Sequence, residues 1–325
     1  MTLADIFRAR RRIAPYVRRT PLVGSAWLSD LANADVSLKL ESLQISNAFK
    51  VRGAYNAVIA RLERGGDRPT KLVTASAGNH GRALAAAAET FKLPLVVFTP
   101  ADAAVTKLDA IRRHGAELRA DARDYDEAEK QAKEYAAQTG ADFISPYNDC
   151  DVVAGAGTVA LEIFEDTPRV ETLVVPIGGG GLISGMAVVA KAIAPECEVV
   201  GVEAAASCPF QTSLGAGRLV EIVPGPTLAD GLAGNPDPDT ITFDFIRRLV
   251  DRIVTVAEAD LASAIAGLAE REHLVAEGAG AAAPAAVVGR RIEVSGRRVV
   301  VVVSGANIDR RRLVDLLASG TGIVA

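Results

Sequence analysis

The residues that could do chemistry in this chain begin with four consecutive glycines, Gly178 to Gly181. They follow the apolar run Thr172–Pro176 and precede a helical pattern. Their backbone N–H groups would therefore lie at a helix N-terminus, where unpaired donors and the helix dipole attract anions. A phosphate group is the ligand that this turn predicts. The turn is not a nucleotide P-loop, because no Gly-Lys-Ser/Thr sequence follows it.

Lys50 is the candidate nucleophile or base. Apolar residues at helical spacing between Val51 and Leu62 predict a helix immediately after it. Ser46 and Asn47, just upstream, are residue types that cap helix N-termini. We therefore expect Lys50 at or near a helix start, although a lone lysine could equally be a solvated one.

The elements that must position these residues alternate between short apolar runs and long helical patterns, which predicts an α/β fold with parallel sheets. Seven runs are predicted strands: Val36–Leu40, Lys71–Thr74, Leu95–Phe98, Phe143–Ile144, Thr172–Pro176, Glu198–Val202 and Val299–Val303. Ligands of such sheets bind at the carboxyl ends of the strands. Besides the glycines, three predicted strand ends are polar or glycine-rich: Ser76–Gly81, Glu203 and Ser304–Asn307.

One predicted helix carries many charges and could be misread as a site. It spans Tyr125 to Tyr135, with Tyr125, Ala128, Ala132 and Tyr135 on one side. We interpret its charged residues as solvated surface. These residues are Asp126, Glu127, Glu129, Lys130 and Lys133.

Length and composition exclude several classes of protein. The 325 residues are 49% hydrophobic and 23% charged, typical of a globular protein of about two domains. Lys and Arg total 36 against 40 Asp and Glu, so no basic field exists to hold nucleic acid or a membrane surface. The small-apolar stretch Gly278 to Gly289 is too short to span a bilayer. Three cysteines without metal or disulfide spacing favour a cytoplasmic location.

The glycine turn is also consistent with a non-catalytic nucleotide-binding protein. Glu203 ends the next strand about twenty residues on, where an acid would hold a ribose hydroxyl. However, the pattern Gly179-x-Gly181-x-x-Ser184 lacks the third glycine of the dinucleotide fingerprint.

The segment Glu41 to Ala54, around Lys50, resembles the lysine motif of fold type II pyridoxal-phosphate enzymes, in the threonine dehydratase and serine racemase branch. Four further segments recur in that family in the same order: Ser76–Gly81, Gly178–Gly181, Pro226–Gly231 and Ser304–Asn307. The resemblance spans nearly the whole chain. It implies two open, twisted, parallel-sheet α/β domains, the larger formed by residues 1–69 plus 149–325 and the smaller by residues 70–148.

The resemblance also implies a cofactor, pyridoxal 5'-phosphate, with Lys50 as the catalytic residue that attaches to it. The cofactor-binding residues would be Phe49, Lys50, Asn79, Gly178, Gly179, Gly180, Gly181, Leu182 and Ser304. An amino-acid substrate would meet Ser76, Ala77, Gly78, Asn79, His80 and Asn148. Many relatives bind a cation near the position of Glu203, which leaves a site for a monovalent or divalent cation open here. The racemase-like members carry a second carboxylate where this chain has Pro209, so we assign no metal ligands.

The function that this resemblance implies is a threonine or serine dehydratase, which eliminates water and releases ammonia and a 2-oxo acid. Serine racemisation and deamination of a β-hydroxyaspartate or related amino acid are the alternatives within the family. A homodimer or larger homo-oligomer is expected. Ala77 stands where racemases carry a proton-donating serine, which favours the dehydratase.

Overall fold

The computed structural model describes residues 1–64 and 69–318. Its strands are β1 (Leu22–Gly24), β2 (Asp35–Leu40), β3 (Leu72–Ala75), β4 (Leu95–Pro100), β5 (Glu117–Ala122), β6 (Asp142–Phe143), β7 (Thr172–Pro176), β8 (Glu198–Ala204), β9 (Arg252–Val256) and β10 (Arg298–Val303). The helices are α1 (Leu3–Ile13), α2 (Ala26–Ala32), α3 (Lys50–Glu63), α4 (Asn79–Phe91), α5 (Val105–Arg112), α6 (Tyr125–Thr139), α7 (Cys150–Asp166), α8 (Gly181–Ile193), α9 (Pro209–Ala216), α10 (Ile241–Leu249), α11 (Glu258–Arg271), α12 (Gly278–Val288) and α13 (Arg310–Ala318).

A six-stranded sheet has the order β1-β2-β10-β7-β8-β9. All of its neighbours pair in parallel except β1, which runs antiparallel to β2. The valines of β10 alternate between two core clusters: Val299, Val301 and Val303 belong to one, and Val300 and Val302 to the other. Apolar side chains thus cover both faces of this strand, as expected for the centre of a parallel sheet.

A second sheet has four parallel strands in the order β5-β4-β3-β6. The amphipathic helix α6 packs on one face of this sheet through Ala128 and Ala132, which join the cluster that contains Val73 and Val96. The fold is therefore α/β with two parallel-sheet regions, as predicted.

All seven predicted strands are present, with bounds within two residues of those predicted. Three strands were missed: β1, β5 and β9. Each lies at the edge of its sheet. An edge strand has a neighbour on one side only, and these three are incompletely buried, so their sequences lack a continuous apolar run.

Helix α3 begins at Lys50, which confirms the predicted position of that lysine. The predicted caps are wrong. The Ser46 hydroxyl donates to the carbonyl of Ala48, and Asn47 adopts a left-handed conformation with φ of 57°. Phe49 occupies the capping position without a side-chain hydrogen bond, because its ring has no polar atom that could accept one.

The interpretation of the α6 charges as solvated surface is wrong for Glu129, which is buried. Among the residues that the structure describes, no helix is long and apolar enough to cross a bilayer.

Candidate active site

A cavity of about 580 Å³ lies where the carboxyl ends of strands from both sheets converge. Its volume is typical of small-molecule sites. Its walls include residues that follow β3, β4, β7 and β10, together with the start of α3. The predicted site residues that line it are Phe49, Lys50, Ser76, Ala77, Gly78, Asn79, His80, Gly178, Gly179, Gly180, Gly181, Leu182 and Ser304.

Lys50 is half-buried as a whole residue, but its ammonium lies inside the protein. The Nζ atom donates to the carbonyl oxygen of Pro146 at 2.9 Å and lies 5.2 Å from the centre of the Phe49 ring. Burial lowers the pKa of Lys50 to about 8, because a charged amine loses its hydration there. A larger share of this amine is therefore unprotonated near neutral pH than in an exposed lysine.

Backbone hydrogen bonds join the lysine turn to the end of β10. The N–H of Phe49 donates to the carbonyl oxygen of Ser304 at 3.0 Å, and the N–H of Ala306 donates to that of Asn47 at 2.8 Å. The hydroxyl of Ser304 donates to the carbonyl of Ala279 at 3.2 Å. Residues some 250 positions apart in sequence are thereby fixed beside one another.

The four glycines form the turn between β7 and α8, and Gly180 has a φ of 82°, which favours glycine. Within the described ranges, nothing accepts a hydrogen bond from the backbone N–H groups of Gly179, Gly180 or Gly181. The ring of Tyr147 covers the turn so closely that a Cβ on Gly179 would overlap it. Free donors at a helix N-terminus make this turn an anion site.

We expect Gly179→Ala to weaken cofactor binding at least tenfold, because the added methyl group and the Tyr147 ring cannot occupy the same space. Displacing the ring would move the donors of the turn. Equilibrium titration with pyridoxal phosphate, followed by absorbance, measures the effect. Gly215→Ala is the matched control, since nothing lies within 4 Å of the Cβ it would add. Equal affinities of the two variants would contradict the role of the turn.

Asn79 starts helix α4 and is held from two sides. Its Nδ2 donates to Glu277 Oε1 at 2.6 Å, and its Oδ1 accepts from Asn307 Nδ2 at 2.6 Å. Burial raises the pKa of Glu277 to about 7. These bonds fix the orientation of the amide at the cavity wall.

His80 is buried, and its Nε2 lies 3.3 Å from the carbonyl oxygen of Ile144. Burial and the charge of Lys50 lower the pKa of His80 to about 3. The imidazole is therefore neutral at physiological pH and cannot supply a positive charge to the site.

Two residues singled out in the sequence lie elsewhere. Asn148 is not part of the cavity wall; its side chain donates to Asp237 and Asp239 and accepts from the N–H of Ile241. The carboxylate of Glu203 is buried and accepts two backbone N–H groups at the start of α9. Glu203 is thus engaged away from the glycine turn, which removes the ribose contact that a nucleotide site would need.

Several cavity residues are not among the site residues predicted above. Pro146 and Tyr147 follow β6, and Tyr125 and Lys107 lie at helix starts. The signal that could have found Pro146 and Tyr147 was their position just after the predicted strand Phe143–Ile144, in the same segment as Asn148.

A buried ion-pair network supports the start of α3. Arg52 forms two hydrogen bonds with Glu41, each 2.8 Å, and two with Glu162, at 2.7 and 2.9 Å. Lys39 Nζ donates to Glu162 at 2.6 Å and to the carbonyl of Thr20 at 2.7 Å. Burial acts to raise the pKa of Glu41, but the charge and hydrogen bonds of Arg52 outweigh it and lower that pKa overall. Two cations and two carboxylates therefore neutralise one another two residues from Lys50.

A wider, open groove of about 1060 Å³ lies at the opposite, amino-terminal ends of the strands of the six-stranded sheet. Several of its charged residues pair with one another, as in Arg297 with Glu198 and Lys191 with Asp251. The cavity at Lys50 is the better candidate because its walls hold unpaired donors and a lysine with a lowered pKa.

The cavity fits the cofactor that the sequence motifs implied. Pyridoxal phosphate needs a reactive amine, donors for its phosphate and a polar partner for its ring nitrogen. The cavity wall offers Lys50, the free N–H groups of the glycine turn and the Ser304 hydroxyl. These groups lie on one continuous wall, so the residues present fit such a group.

Comparisons with known proteins agree with this geometry. The family described as "Pyridoxal-phosphate dependent enzyme" matches residues 13–305. The chain is 42% identical to the L-threonine ammonia-lyase of Thermotoga maritima over 95% of this chain and 76% of that protein. It is 35% identical to the L-threo-3-hydroxyaspartate ammonia-lyase of Saccharomyces cerevisiae over 98% and 96% of the two chains. Maize serine racemase has a similar structure, with a TM-score of 0.90 at 31% identity over 98% and 97% of the two chains. The chain belongs to the family of pyridoxal-phosphate-dependent enzymes.

Proposed function

We propose that the protein is an ammonia-lyase that eliminates water from L-threonine or L-serine and releases ammonia and a 2-oxo acid. The observation that carries the proposal is the buried amine of Lys50 beside free donors of the glycine turn. Relatives named as threonine ammonia-lyases or dehydratases, at 33 to 42% identity, support this reaction.

Lys50 would attach to the cofactor, and Gly178 to Leu182 would hold its phosphate. Phe49, Asn79 and Ser304 would surround its ring. When bound, pyridoxal phosphate withdraws electrons from the α-carbon of the amino acid, which allows the α-proton and then the β-hydroxyl to leave.

Lys50 is the base for the α-proton. Its lowered pKa provides the unprotonated amine that proton removal requires at neutral pH. Ser304 would present a neutral hydroxyl to the ring nitrogen of the cofactor. A carboxylate at that position would favour a protonated nitrogen, which draws negative charge from the α-carbon into the ring. A hydroxyl therefore disfavours that delocalisation and favours elimination over transamination.

The substrate carboxylate would bind at the turn from Ser76 to Asn79. The start of α4 there offers backbone N–H groups to an anion. Ser76 is buried, and its Oγ accepts from the N–H of Gly78, which shapes the turn. Because its imidazole is neutral, His80 does not attract the substrate carboxylate away from these N–H groups.

The charges of the cavity wall favour threonine or serine over a β-hydroxyaspartate. Among the described wall residues, the cationic side chains are Lys50 and Lys107, and Lys107 is paired with Asp230 at 2.7 Å. Asp102, Asp230 and Glu277 add carboxyl groups. Along this described part of the wall, a second substrate carboxylate would find no unpaired cation apart from Lys50, and burying it unpaired is costly.

A screen of β-hydroxy amino acids for release of ammonia and oxo acid tests the proposal. We expect the highest kcat/KM for L-threonine or L-serine and a much lower value for L-threo-3-hydroxyaspartate. A clear preference for hydroxyaspartate would contradict the charge argument and would indicate the yeast enzyme's type of substrate instead.

We expect negligible racemisation of serine. Racemisation needs a proton donor on each face of the α-carbon, and Lys50 serves one face only. Ala77 lines the cavity but has no transferable proton. Chiral chromatography of residual serine during turnover should show D-serine forming at least a hundredfold more slowly than pyruvate, and Ala77→Ser should raise that rate. Comparable rates in the unmodified protein would favour a racemase.

We also propose that residues 70–148, which contain the four-stranded sheet, form the smaller domain, and that the protein works in the cytoplasm as a homo-oligomer. Three free cysteines support a reducing compartment.

Leu43 and Ile45 are exposed apolar residues beside the lysine turn and support a subunit contact. Light scattering coupled to size-exclusion chromatography measures the oligomeric state.

A further inference from the structure

A group of titratable side chains joins helix α6 to the segment 230–239, just outside the cavity wall. Lys133 Nζ lies 3.0 Å from Asp237 Oδ1 and 3.5 Å from Glu129 Oε1. The side chains of Glu129 and Asp237 are only 9% and 7% exposed. One ammonium therefore serves two buried carboxylates.

The surroundings of this group hold Asp237 firmly but leave Glu129 short of partners. The N–H of Asp237 donates to the Tyr147 hydroxyl at 3.0 Å, and Asn148 Nδ2 donates to Asp237 Oδ2 at 3.2 Å. Within the described part of the chain, Glu129 Oε1 and the Tyr125 hydroxyl are buried without a hydrogen-bond partner.

Within residues 1–64 and 69–318, Lys133 is the cation that forms ion pairs with Glu129 and Asp237. Asp126 lies close enough to affect the titration of Tyr125 and Tyr147 and is itself acidic. The sheet beneath α6 contributes mainly apolar side chains such as Val96, and Lys133 lies 5.7 Å above the Phe143 ring. On that sheet, the guanidinium of Arg119 lies over the rings of Phe98 and Tyr135.

With both carboxylates ionised, the group of Glu129, Lys133 and Asp237 carries a net charge of −1 in a buried place. Proton uptake by Glu129 removes that charge and gives Oε1 or Oε2 a donor for the neighbouring carboxylate. Burial, followed by the charge of Asp237, raises the pKa of Glu129 to about 7.

We propose that Glu129, Lys133 and Asp237 form a proton-dependent latch between α6 and the segment 230–239, with Glu129 as a positioning residue for the cavity wall. Two observations connect the latch to the cavity. Tyr125, one turn before Glu129, lines the cavity, and so do Asp230 to Asn235, which precede Asp237. Release of the latch therefore moves two parts of the wall.

The sign of the pH dependence follows from linkage. When α6 separates from the segment, Glu129 becomes exposed and regains a pKa near its ordinary value of 4.5. The latched state thus binds the proton more tightly, so its stabilisation is complete below pH 4.5 and is lost as the pH rises through about 7. Between pH 6 and pH 8 the latched population relative to the open one falls by up to about tenfold.

Amide hydrogen exchange of the holoenzyme, corrected for the intrinsic pH dependence of exchange, tests the latch without any substrate. We expect peptides covering residues 233–241 to lose several-fold protection between pH 6 and pH 8. Glu129→Gln, which imitates the protonated carboxyl, should keep its protection at both pH values. Glu134→Gln, on the exposed side of the same helix, should behave as the unmodified protein. Equal pH dependence in all three proteins would overturn the latch.

A second variant guards against a folding defect in Glu129→Gln. Asp237→Asn removes the other carboxylate, so it too should reduce the loss of protection between pH 6 and pH 8. If both variants kept that loss, titration of the carboxylate pair would not be its cause.

The effect on catalysis rests on the proposed function and is measured separately. KM for L-threonine should rise several-fold more between pH 6 and pH 8 in the unmodified enzyme than in Glu129→Gln, with a smaller difference in kcat. If neither the unmodified enzyme nor its variants turned over threonine, the proposed substrate would be wrong. The hydrogen-exchange experiment would still test whether the latch exists, because it needs no substrate. A KM profile that is identical in both enzymes would refute the coupling to the cavity.

Discussion

Lys50→Ala should lower kcat for elimination by about a thousandfold or more while leaving the fold intact. The variant loses both the amine that attaches to the cofactor and the base that removes the α-proton, and general base catalysis alone contributes about 10² to 10⁴. Steady-state assays of oxo-acid release measure the loss. Lys130→Ala, at an exposed position on α6, is the control and should retain full activity.

Chemical labelling separates this role of Lys50 from a general loss of structure. Borohydride reduction of the holoenzyme, followed by peptide mapping, should place the reduced cofactor on Lys50. The alanine variant should take up pyridoxal phosphate reversibly and carry no label after reduction. A label on another lysine, or unchanged activity of the variant, would move the catalytic centre away from the cavity described above.

Arg52→Met should be strongly destabilising, costing about 3 to 5 kcal/mol of unfolding free energy. The methionine fills much of the same space but leaves two buried carboxylates, Glu41 and Glu162, with Lys39 as their remaining cation. Breaking a buried ion pair by removing one partner typically costs this much. Because native proteins are stable by only about 5 to 15 kcal/mol, the variant should approach the limit of folding.

Urea unfolding followed by circular dichroism measures this loss. Adding Glu41→Gln to Arg52→Met should recover part of the stability, since the double variant buries one charge less. Arg19→Ala is the control, because Arg19 pairs with Glu165 and Asp166 while half of its side chain is exposed. Surface pairs contribute about 1 kcal/mol or less. A loss that small for Arg52→Met would show that the network is not a stabilising element.

The sequence was sufficient to predict the parallel sheets and the helix that begins at Lys50. Buried central strands such as β7 and β10 consist of continuous apolar runs, and their ends were marked by glycine or polar residues. Those signals are local. They depend on one strand and on the turn that follows it, which is why the positions of Gly178 and Ser304 could be predicted together with the strands.

What the sequence could not provide depends on contacts between distant segments. Helical spacing correctly oriented Ala128 toward its own sheet, but it contained no information about the segment that carries Asp237, so Glu129 was wrongly placed in solvent. Asn148 followed a strand end like the true wall residues, yet hydrogen bonds to Asp237 and Asp239 turn its side chain away. The predictions for Glu129 and Asn148 thus both differ from the structure because of contacts with the segment 230–239, which lies more than 80 residues downstream.

The position of β10 also sets the order in which this protein can fold. The strand lies between β2 and β7, and Arg298 pairs with Asp35, so a central place in the sheet is filled by a strand that is synthesised after both of its neighbours. Until the ribosome has delivered it, β2 and β7 expose unpaired apolar edges that invite aggregation. Ser304 and its bond to Phe49 arrive with the same strand, so a nascent chain can acquire its cofactor only after β10 has been synthesised. Chains truncated before Arg298 should accordingly be sensitive to protease and fail to retain pyridoxal phosphate.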